Sequence, residues 1–295
     1  MEQFVFILAL LLIGLALQRA DAPADFSKSL NFFVIYVSLP ATVLLQIPKV
    51  HLNLSALGVI AIPWLLLPIM VGIVIAMTRN HPLHVRAALL LVIPLGNTSF
   101  VGIPIVHTLL GEEAIAYVLM YDQFGTFLML SLYGSAVIAR FETGSFHKRL
   151  ILKKLLMFPP FIFLIFALIF GEMPSSVYPY IQLLASTLVP LALVSVGYSM
   201  RLGGELDYGM LSKALVVKLA VMPFIAFGLL YAMGVEPLAL KTAVLESGMP
   251  SMITAGALAI ASGFAPALSA AMVGYGIIVS LVTLPIITYL MERLI

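Results

Sequence analysis

Glu246 lies in the stretch LESGMPS, inside a long apolar run where an ionisable side chain is costly and usually serves binding or ion transfer. Together with Ser247, Asn97 and Thr98, it offers the oxygen ligands that a hard cation such as Na⁺ takes. The same carboxyl could instead carry a proton as the coupling ion. The alternative is a structural role, as a counter-charge for helix N-termini close by.

A second carboxylate, Asp122, lies next to Gln123 in the apolar stretch YDQFGTF. We expect Asp122 to take part in ion coupling and Gln123 to contact a substrate. The alternative for both is an interhelical hydrogen bond that holds the helices together. Lys218 is also inside an apolar run, close to its predicted cytoplasmic end. We expect its long side chain to extend to the membrane interface.

The stretch PLGNTSFVGIPI, at positions 94–105, interrupts one apolar run near its middle, and ESGMPS, at 246–251, interrupts a later one. Proline removes a backbone donor, and glycine lets the chain leave helical geometry. The freed backbone groups cannot face lipid, so we expect a polar cavity where two half-helix N-termini bind a carboxylate without a fixed cation. The alternative is that the prolines only kink continuous helices. The predicted substrate-binding residues are Asn97, Thr98, Ser99, Pro104, Gln123, Met249, Pro250 and Ser251.

The composition defines the solvent of this chain. Of its 295 residues, 62% are hydrophobic and 9% are charged, with a mean hydropathy of +1.16. No soluble domain of this length could cover so much apolar surface, which indicates an integral membrane protein. The sequence contains no cysteine, which excludes disulfides, thiol nucleophiles and cysteine-ligated metals.

Apolar runs of about 20 residues predict an all-α fold of ten transmembrane helices, because lipid leaves only helices or closed barrels. The N-terminal run lacks the positive region and cleavage motif of a signal peptide, so we interpret it as the first span. Basic residues concentrate in the odd-numbered loops, which predicts that both termini are extracytoplasmic. The predicted limits are 3–18, 29–46, 56–77, 85–108, 114–138, 153–170, 177–199, 211–233, 238–261 and 267–291.

The two halves of the chain have prolines and basic residues at corresponding positions. Pro68 and Pro223 are 155 residues apart, and so are Arg86 and Lys241, which open the fourth and ninth spans. Because five spans are an odd number, the second half enters from the opposite side, so the repeat is inverted. Interrupted spans at corresponding positions of two inverted halves point to a transporter binding site. The predicted repeats are 1–147 and 148–295.

The motifs LGNTSFVGIPI and ESGMPSMITAGALA, together with the Pro40 region and YDQFGTF, resemble the auxin efflux carrier family in its bacterial branch. The resemblance covers the whole chain. It implies the fold shared with sodium/bile acid symporters, in which a scaffold (helices 1, 2, 6 and 7) supports a mobile core (helices 3, 4, 5, 8, 9 and 10). Helices 4 and 9 would cross in the core, and a homodimer would form through the scaffold. The family implies transport of small organic acids such as auxin or malonate.

The bile acid symporters have a similar E-x-G-M-Q segment whose Glu binds sodium, whereas Pro250 replaces the Gln here. We therefore expect a carrier of small organic anions in the cell (inner) membrane, working by alternating access and coupled to Na⁺, to H⁺ or to no ion. The alternatives are a sodium-coupled bile acid-type symporter and a channel. The sequence lacks the metalloprotease and nucleotide-binding motifs, so we expect no enzyme activity, no cofactor other than a coupling ion, and no nucleic-acid partner.

Overall fold

A computed structural model of the chain describes residues 2–20, 22–23, 25–49, 54–141, 157–200 and 206–295. The described part is helical throughout, apart from turns and one isolated bridge between Gly96 and Ser251. The helices are α1 (Glu2–Leu17), α2 (Phe26–Lys49), α3 (Leu54–Met77), α4 (Leu83–Val92), α5 (Thr98–Leu110), α6 (Glu112–Phe141), α7 (Pro159–Phe170), α8 (Tyr178–Ser199), α9 (Tyr208–Ala232), α10 (Pro237–Ser247), α11 (Ile253–Ala261) and α12 (Pro266–Leu294).

Six of these helices, α2, α3, α6, α8, α9 and α12, are long and apolar enough to cross a membrane within the part of the chain that the structure describes. Shorter apolar helices, α1, α4, α5 and α7, accompany them. Many large apolar side chains face outward, as the aromatic and aliphatic residues of α7 do. The prediction of an all-helical, multi-pass membrane protein is therefore confirmed.

The helix limits agree with the predicted spans to within about three residues, except where the chain is broken or not described. The predicted fourth span is divided into α4 and α5, and the predicted ninth span into α10 and α11. The prediction that these two spans break is confirmed. The start of the predicted sixth span, the boundary between residues 147 and 148, and the basic residues Lys148, Arg149, Lys153, Lys154 and Arg201 lie outside the described residues.

The helices pack in two groups. One contains α1, α2, α7 and α8, in which α8 packs on α1 and α2, and α7 packs on α2. The other contains α3 to α6 and α9 to α12, in which α4 packs on α11 and α12, and α9 packs on α10 and α3. The predicted scaffold and core would contain these same helices, and their roles stay a prediction. The first turn of α5 packs against α8, so the two groups meet at the break of the fourth span.

Two glycines allow α1 and α8 to approach at backbone distance. A Cβ atom placed on Gly14 would lie 2.2 Å from the carbonyl oxygen of Val194, and one on Gly197 would lie 2.1 Å from that of Leu11. The amide of Gln18 adds three hydrogen bonds from α1 to carbonyls at the end of α8, at 2.8–3.2 Å. Lipid tails are as apolar as the outer faces of the helices, so no hydrophobic driving force brings helices together in a membrane. They associate instead through close packing contacts of this kind.

The long helix α6 contains a π-helical turn at Tyr121–Phe127, and turns of this kind are frequent at functional sites. Its Gly125 lies against Pro63 of α3, where a Cβ would be 2.4 Å from the proline ring. Next to it, the indole nitrogen of Trp64 donates to the carbonyl oxygen of Phe124 at 2.8 Å. These contacts fix the rotation of α6, which determines where the side chains of the π-helical turn point.

We expect Gly197→Ala to lower the free energy of unfolding by about 1–3 kcal/mol, because the new methyl group overlaps the α1 backbone. The measurement is denaturation of the purified protein in detergent. Gly72→Ala in α3 is the matched control, since its Cβ would meet nothing within 4 Å. Alanine is the better helix former, so the control should be unchanged or stabilised by about 1 kcal/mol. Equal behaviour of the two variants would contradict the close α1–α8 contact.

Candidate functional site

The two interrupted segments meet each other inside the protein. The backbone N–H of Asn97 donates to the carbonyl of Pro250 at 2.8 Å, and that of Met252 donates to the carbonyl of Leu95 at 2.9 Å. These bonds form an antiparallel bridge between Gly96 and Ser251. Backbone groups left unpaired where the two helices break are thus paired across the breaks rather than left to lipid. We call this junction the crossing.

The half-helices are paired in the way that two crossing spans require. The half-helix α4 packs on α11, and α10 packs on the later part of α5. Each half-helix therefore lies beside the opposite half of the other span. The N-terminus of α5 and that of α11 both begin at the crossing, immediately after Asn97 and Met252.

Two side chains at the crossing keep unused hydrogen-bonding capacity. Asn97 caps α5, because its Oδ1 accepts the backbone N–H of Phe100 at 3.2 Å. Its Nδ2 donor is buried and has no partner within the part of the chain that the structure describes, and neither has the hydroxyl of Ser251. An unpaired buried polar atom costs about 1–3 kcal/mol, so these atoms mark a place where a ligand would supply the partner.

Asp122 is the centre of a saturated hydrogen-bond cluster. Its Oδ1 accepts the hydroxyls of Thr98 and Ser99, both at 2.5 Å, and its Oδ2 accepts the amide of Gln123 at 2.6 Å. The hydroxyl of Thr98 also lies 2.8 Å from that of Thr126. The carboxylate therefore holds the first turn of α5 against α6. This geometry matches the interhelical alternative for Asp122 more closely than an ion-coupling role.

Glu246 has the opposite surroundings. It is 0% exposed, and within the described residues neither carboxyl oxygen has a hydrogen-bond partner. The carboxyl group faces the Cα of Gly102, where a Cβ would lie 2.6 Å from both oxygens. It lies within electrostatic range of Asp122 and Lys218. A buried carboxyl without donors calls for a cation or a proton.

The prediction that Lys218 extends to the membrane interface is wrong. Its side chain is 0% exposed and lies in a π-helical turn of α9, at Val217–Val221. The ammonium donates to the carbonyl of Ser247 at 3.4 Å and lies near the sulfur of Met222 at 3.5 Å. A Cβ on Gly96 would be 3.3 Å from it. The crossing therefore contains a fixed cation, contrary to our expectation that it needs none.

The other predicted site residues divide into those at the crossing and those beside it. Pro250 and Ser251 form the crossing, and Met249 is buried next to them in the turn after α10. The hydroxyl of Ser247 donates to the carbonyl of Val244 in its own helix, at 2.7 Å, which leaves its oxygen lone pairs for a ligand. Pro104 is buried in α5, beyond the break.

The predicted sodium ligands fit only in part. The hydroxyl of Thr98 hydrogen-bonds to Asp122 and Thr126, and Oδ1 of Asn97 accepts the backbone N–H of Phe100. The negative charge available to a cation therefore comes from Glu246. Gln123 adds a buried Oε1 without a partner in the described part of the chain. The structure groups no three His, Asp or Glu side chains as a metal site among the residues it describes. One monovalent cation at Glu246 suits this donor set better than a multivalent metal.

A cavity of about 440 Å³ lies between the two groups of helices. The walls come from α1, α2 and α8 on one side and from α5 and the start of α6 on the other. Its polar lining residues are Thr42, Gln46, His107, Thr108, Glu112, Gln182 and Ser186. At its rim, Glu112 accepts the amide of Gln46 at 2.9 Å and the ammonium of Lys49 at 3.1 Å. Ile103 of α5 extends the lining toward the crossing.

Sequence reasoning missed several residues of this site. Thr126 supports Thr98, and Gly102 makes room for the carboxyl group of Glu246. Lys218 was visible as a charge within a span, but depth along a helix does not tell which face the side chain occupies.

A model of the family described as "Membrane transport protein" matches residues 1–288. The chain belongs to this family. The match confirms the resemblance to the auxin efflux carriers. An uncharacterized transporter from Methanocaldococcus jannaschii is 31% identical to this transporter over 243 residues, 77% of each chain. A second, from Methanothermobacter thermautotrophicus, is 26% identical over 301 residues, which cover 97% of this transporter and 96% of the relative.

The two carboxylates should respond differently to neutralisation. We expect Asp122→Asn to lower the free energy of unfolding by about 2–3 kcal/mol, because it weakens three charge-assisted hydrogen bonds. Glu246→Gln should leave stability unchanged or raise it by about 1–2 kcal/mol, because the native carboxyl group has no donors. The measurement is denaturation in sodium-free detergent, with the exposed Glu292→Gln as control. A Glu246→Gln variant as unstable as Asp122→Asn would assign Glu246 a structural role.

Proposed function

We propose that this transporter carries small organic anions across the cell membrane by alternating access, with the anion bound at the crossing. One observation supports this most strongly. The donor groups of Asn97 and Ser251 are buried and unpartnered, within the described residues, at the point where α5 and α11 begin. We propose that a carboxylate bound at the crossing supplies the missing hydrogen-bond acceptor.

The electrostatics of the crossing favour an anion. Each helix N-terminus carries roughly half a positive charge, and two of them begin here. Backbone N–H groups at such N-termini are a common binding site for carboxylates and phosphates. The buried amino group of Lys218 adds a basic side chain beside Gly96. Once a cation or a proton occupies Glu246, these groups favour an anion over an organic cation at the same place.

The cavity between the two groups of helices, which reaches toward the crossing only as far as Ile103, suggests the size of a substrate on its way to the crossing. Its volume of about 440 Å³ lies at the lower end of the usual range for small-molecule sites. Its walls combine polar side chains such as Gln46 and Gln182 with apolar ones such as Phe6 and Leu188. This lining suits mono- and dicarboxylates and aromatic acids of the auxin type, which have an anionic end and a short apolar body.

The proposed motion is a displacement of the core, formed by α3–α6 and α9–α12, against the scaffold, formed by α1, α2, α7 and α8. The bridge between Gly96 and Ser251 joins positions 155 residues apart, the offset that also separates Pro68 from Pro223. A contact between corresponding positions is expected at the axis of an inverted repeat, which supports ten spans in two five-helix repeats. A homodimer through the scaffold would hold that part still.

Glu246 is the proposed coupling site, taking Na⁺ or H⁺, because its carboxyl group is buried without donors in the described part of the chain. The family is one of transport proteins, and we propose no catalytic role for the site. Transport linked to a cation at Glu246 and an anion at Asn97 would move the two charges together across the low-dielectric interior, which lowers the cost of the passage.

Transport tests this proposal directly. In proteoliposomes, we expect saturable uptake of a carboxylate from a panel of labelled dicarboxylates and indole acids. Asn97→Ala should reduce uptake at least ten-fold, since one hydrogen bond to a charged ligand is worth about 1.5–3 kcal/mol. The exposed Asn80→Ala is the matched control and should transport normally. Uptake of no anion in the panel, or full uptake by Asn97→Ala, would refute the proposed site.

The pair Lys49 and Glu112 tests the motion, because it links the proposed scaffold to the proposed core across the cavity rim. The chain has no native cysteine, so the double variant Lys49→Cys/Glu112→Cys carries only the two introduced thiols. Joining them with a short reducible crosslinker should stop transport, and reduction should restore it.

The matched control pair lies within the proposed core. Tyr117 of α6 donates a hydrogen bond to Glu236, directly before α10, and both move with the core in this proposal. Crosslinking Tyr117→Cys/Glu236→Cys should therefore leave transport intact. Block by both crosslinks, or by neither, would contradict a core that moves as a unit against the scaffold.

A further inference from the structure

Three charged side chains are buried in the described part of the chain: Asp122, Lys218 and Glu246. They come from three helices, α6, α9 and α10, and all three are at most 2% exposed. If each keeps its charge, two carboxylates and one ammonium leave a single negative charge uncompensated. A low-dielectric interior makes such a residual charge expensive, so it will be matched by a cation or a proton.

Lys218 does not compensate either carboxylate by direct contact. The two ion pairs among the described residues, Lys28–Asp25 and Lys49–Glu112, do not include it. Its ammonium instead donates to the carbonyl of Ser247, at the C-terminal end of α10, where the helix dipole favours a positive charge. It lies between the end of this half-helix and the backbone of Gly96, so it is fixed to the crossing and acts on Glu246 through space.

The two carboxylates are not equivalent partners for a cation. Three protein donors stabilise the ionised form of Asp122, so it depends on an ion less than a carboxylate without donors does. Glu246 receives no donor from the described residues. The residual negative charge is therefore located on Glu246, which leaves one place for an exchangeable cation.

The spacing of the proposed repeat gives an independent reason to expect a single cation site at the crossing. Shifting each buried charge by 155 residues leads to its counterpart in the other half of the chain. None of the three counterparts can ionise. The pairs are Lys218 with Pro63, Glu246 with Leu91, and Asp122 with Ile277. Among the described residues, the buried charges of the crossing therefore have uncharged counterparts in the proposed repeat, which favours a single ion site.

We propose that Lys218 is the built-in counter-cation of the crossing, a covalently attached ammonium that takes the place of a second exchangeable ion. The proposal deepens the proposed function and rests on it. With Lys218 in place, at most one monovalent cation accompanies each transport cycle. Without Lys218, the same cluster carries one more uncompensated negative charge and takes up one more cation.

The test counts ions bound to the folded protein and requires no substrate. Unfolding is followed in detergent while NaCl replaces choline chloride at constant pH and ionic strength. The free energy of unfolding is plotted against the natural logarithm of the Na⁺ concentration. Each additional ion bound by the folded protein increases the slope of this plot by RT. We expect a slope of one Na⁺ or less for the wild type and an increase of about one Na⁺ in Lys218→Met. Lys213→Met, on the exposed face of the same helix, is the matched control and should keep the wild-type slope.

A second variant keeps the test decisive if Lys218→Met does not fold. The double variant Lys218→Met/Glu246→Gln removes one charge of each sign and should fold with a slope no greater than that of the wild type. Equal slopes for Lys218→Met and the wild type, including no Na⁺ dependence in both, would overturn the proposal. Failure of both variants to fold would show that Lys218 serves packing and would overturn it as well. A failed transport assay would refute the proposed function without changing these slopes.

Discussion

Lipid offers no hydrogen bonds, and every backbone group that a proline or glycine frees at membrane depth costs several kcal/mol unless the protein satisfies it. This constraint explains the central contact of the structure. The freed N–H groups of Asn97 and Met252 are satisfied by carbonyls of the opposite break. Each break therefore requires the other, and the neighbouring helices must hold two discontinuous spans in one register for either to be tolerated.

The polar side chains around this contact divide into two kinds. Those around Asp122 hydrogen-bond to its carboxylate and hold the start of α5 against α6. Those of Asn97, Ser251 and Glu246 keep unpaired atoms within the described residues, at a cost in stability. Proteins retain such costs mainly where a ligand recovers them, which is the usual relation between stability and function at binding sites. The division separates the frame of the site from its binding surface.

Much of this arrangement could be predicted, because the bilayer restricts what a chain can do. Apolar runs located the spans, and proline and glycine between polar residues located both breaks. Which residues face each other could not be predicted, because hydropathy gives depth and not rotation about the helix axis. Lys218 was therefore placed at the interface when it belongs at the crossing. The contact of Gly102 with Glu246 depends on packing between distant segments, for which a single sequence carries no signal.

The chain contains one tryptophan, and its position gives the protein an optical probe of its own. The indole of Trp64 donates to the carbonyl of Phe124, within the π-helical turn that carries Asp122. Its ring packs against the small apolar cluster that contains Leu95, a residue of the crossing. All tryptophan emission from this protein therefore originates beside the broken spans. Any rearrangement there changes the polarity around a single fluorophore, without a label or an engineered residue.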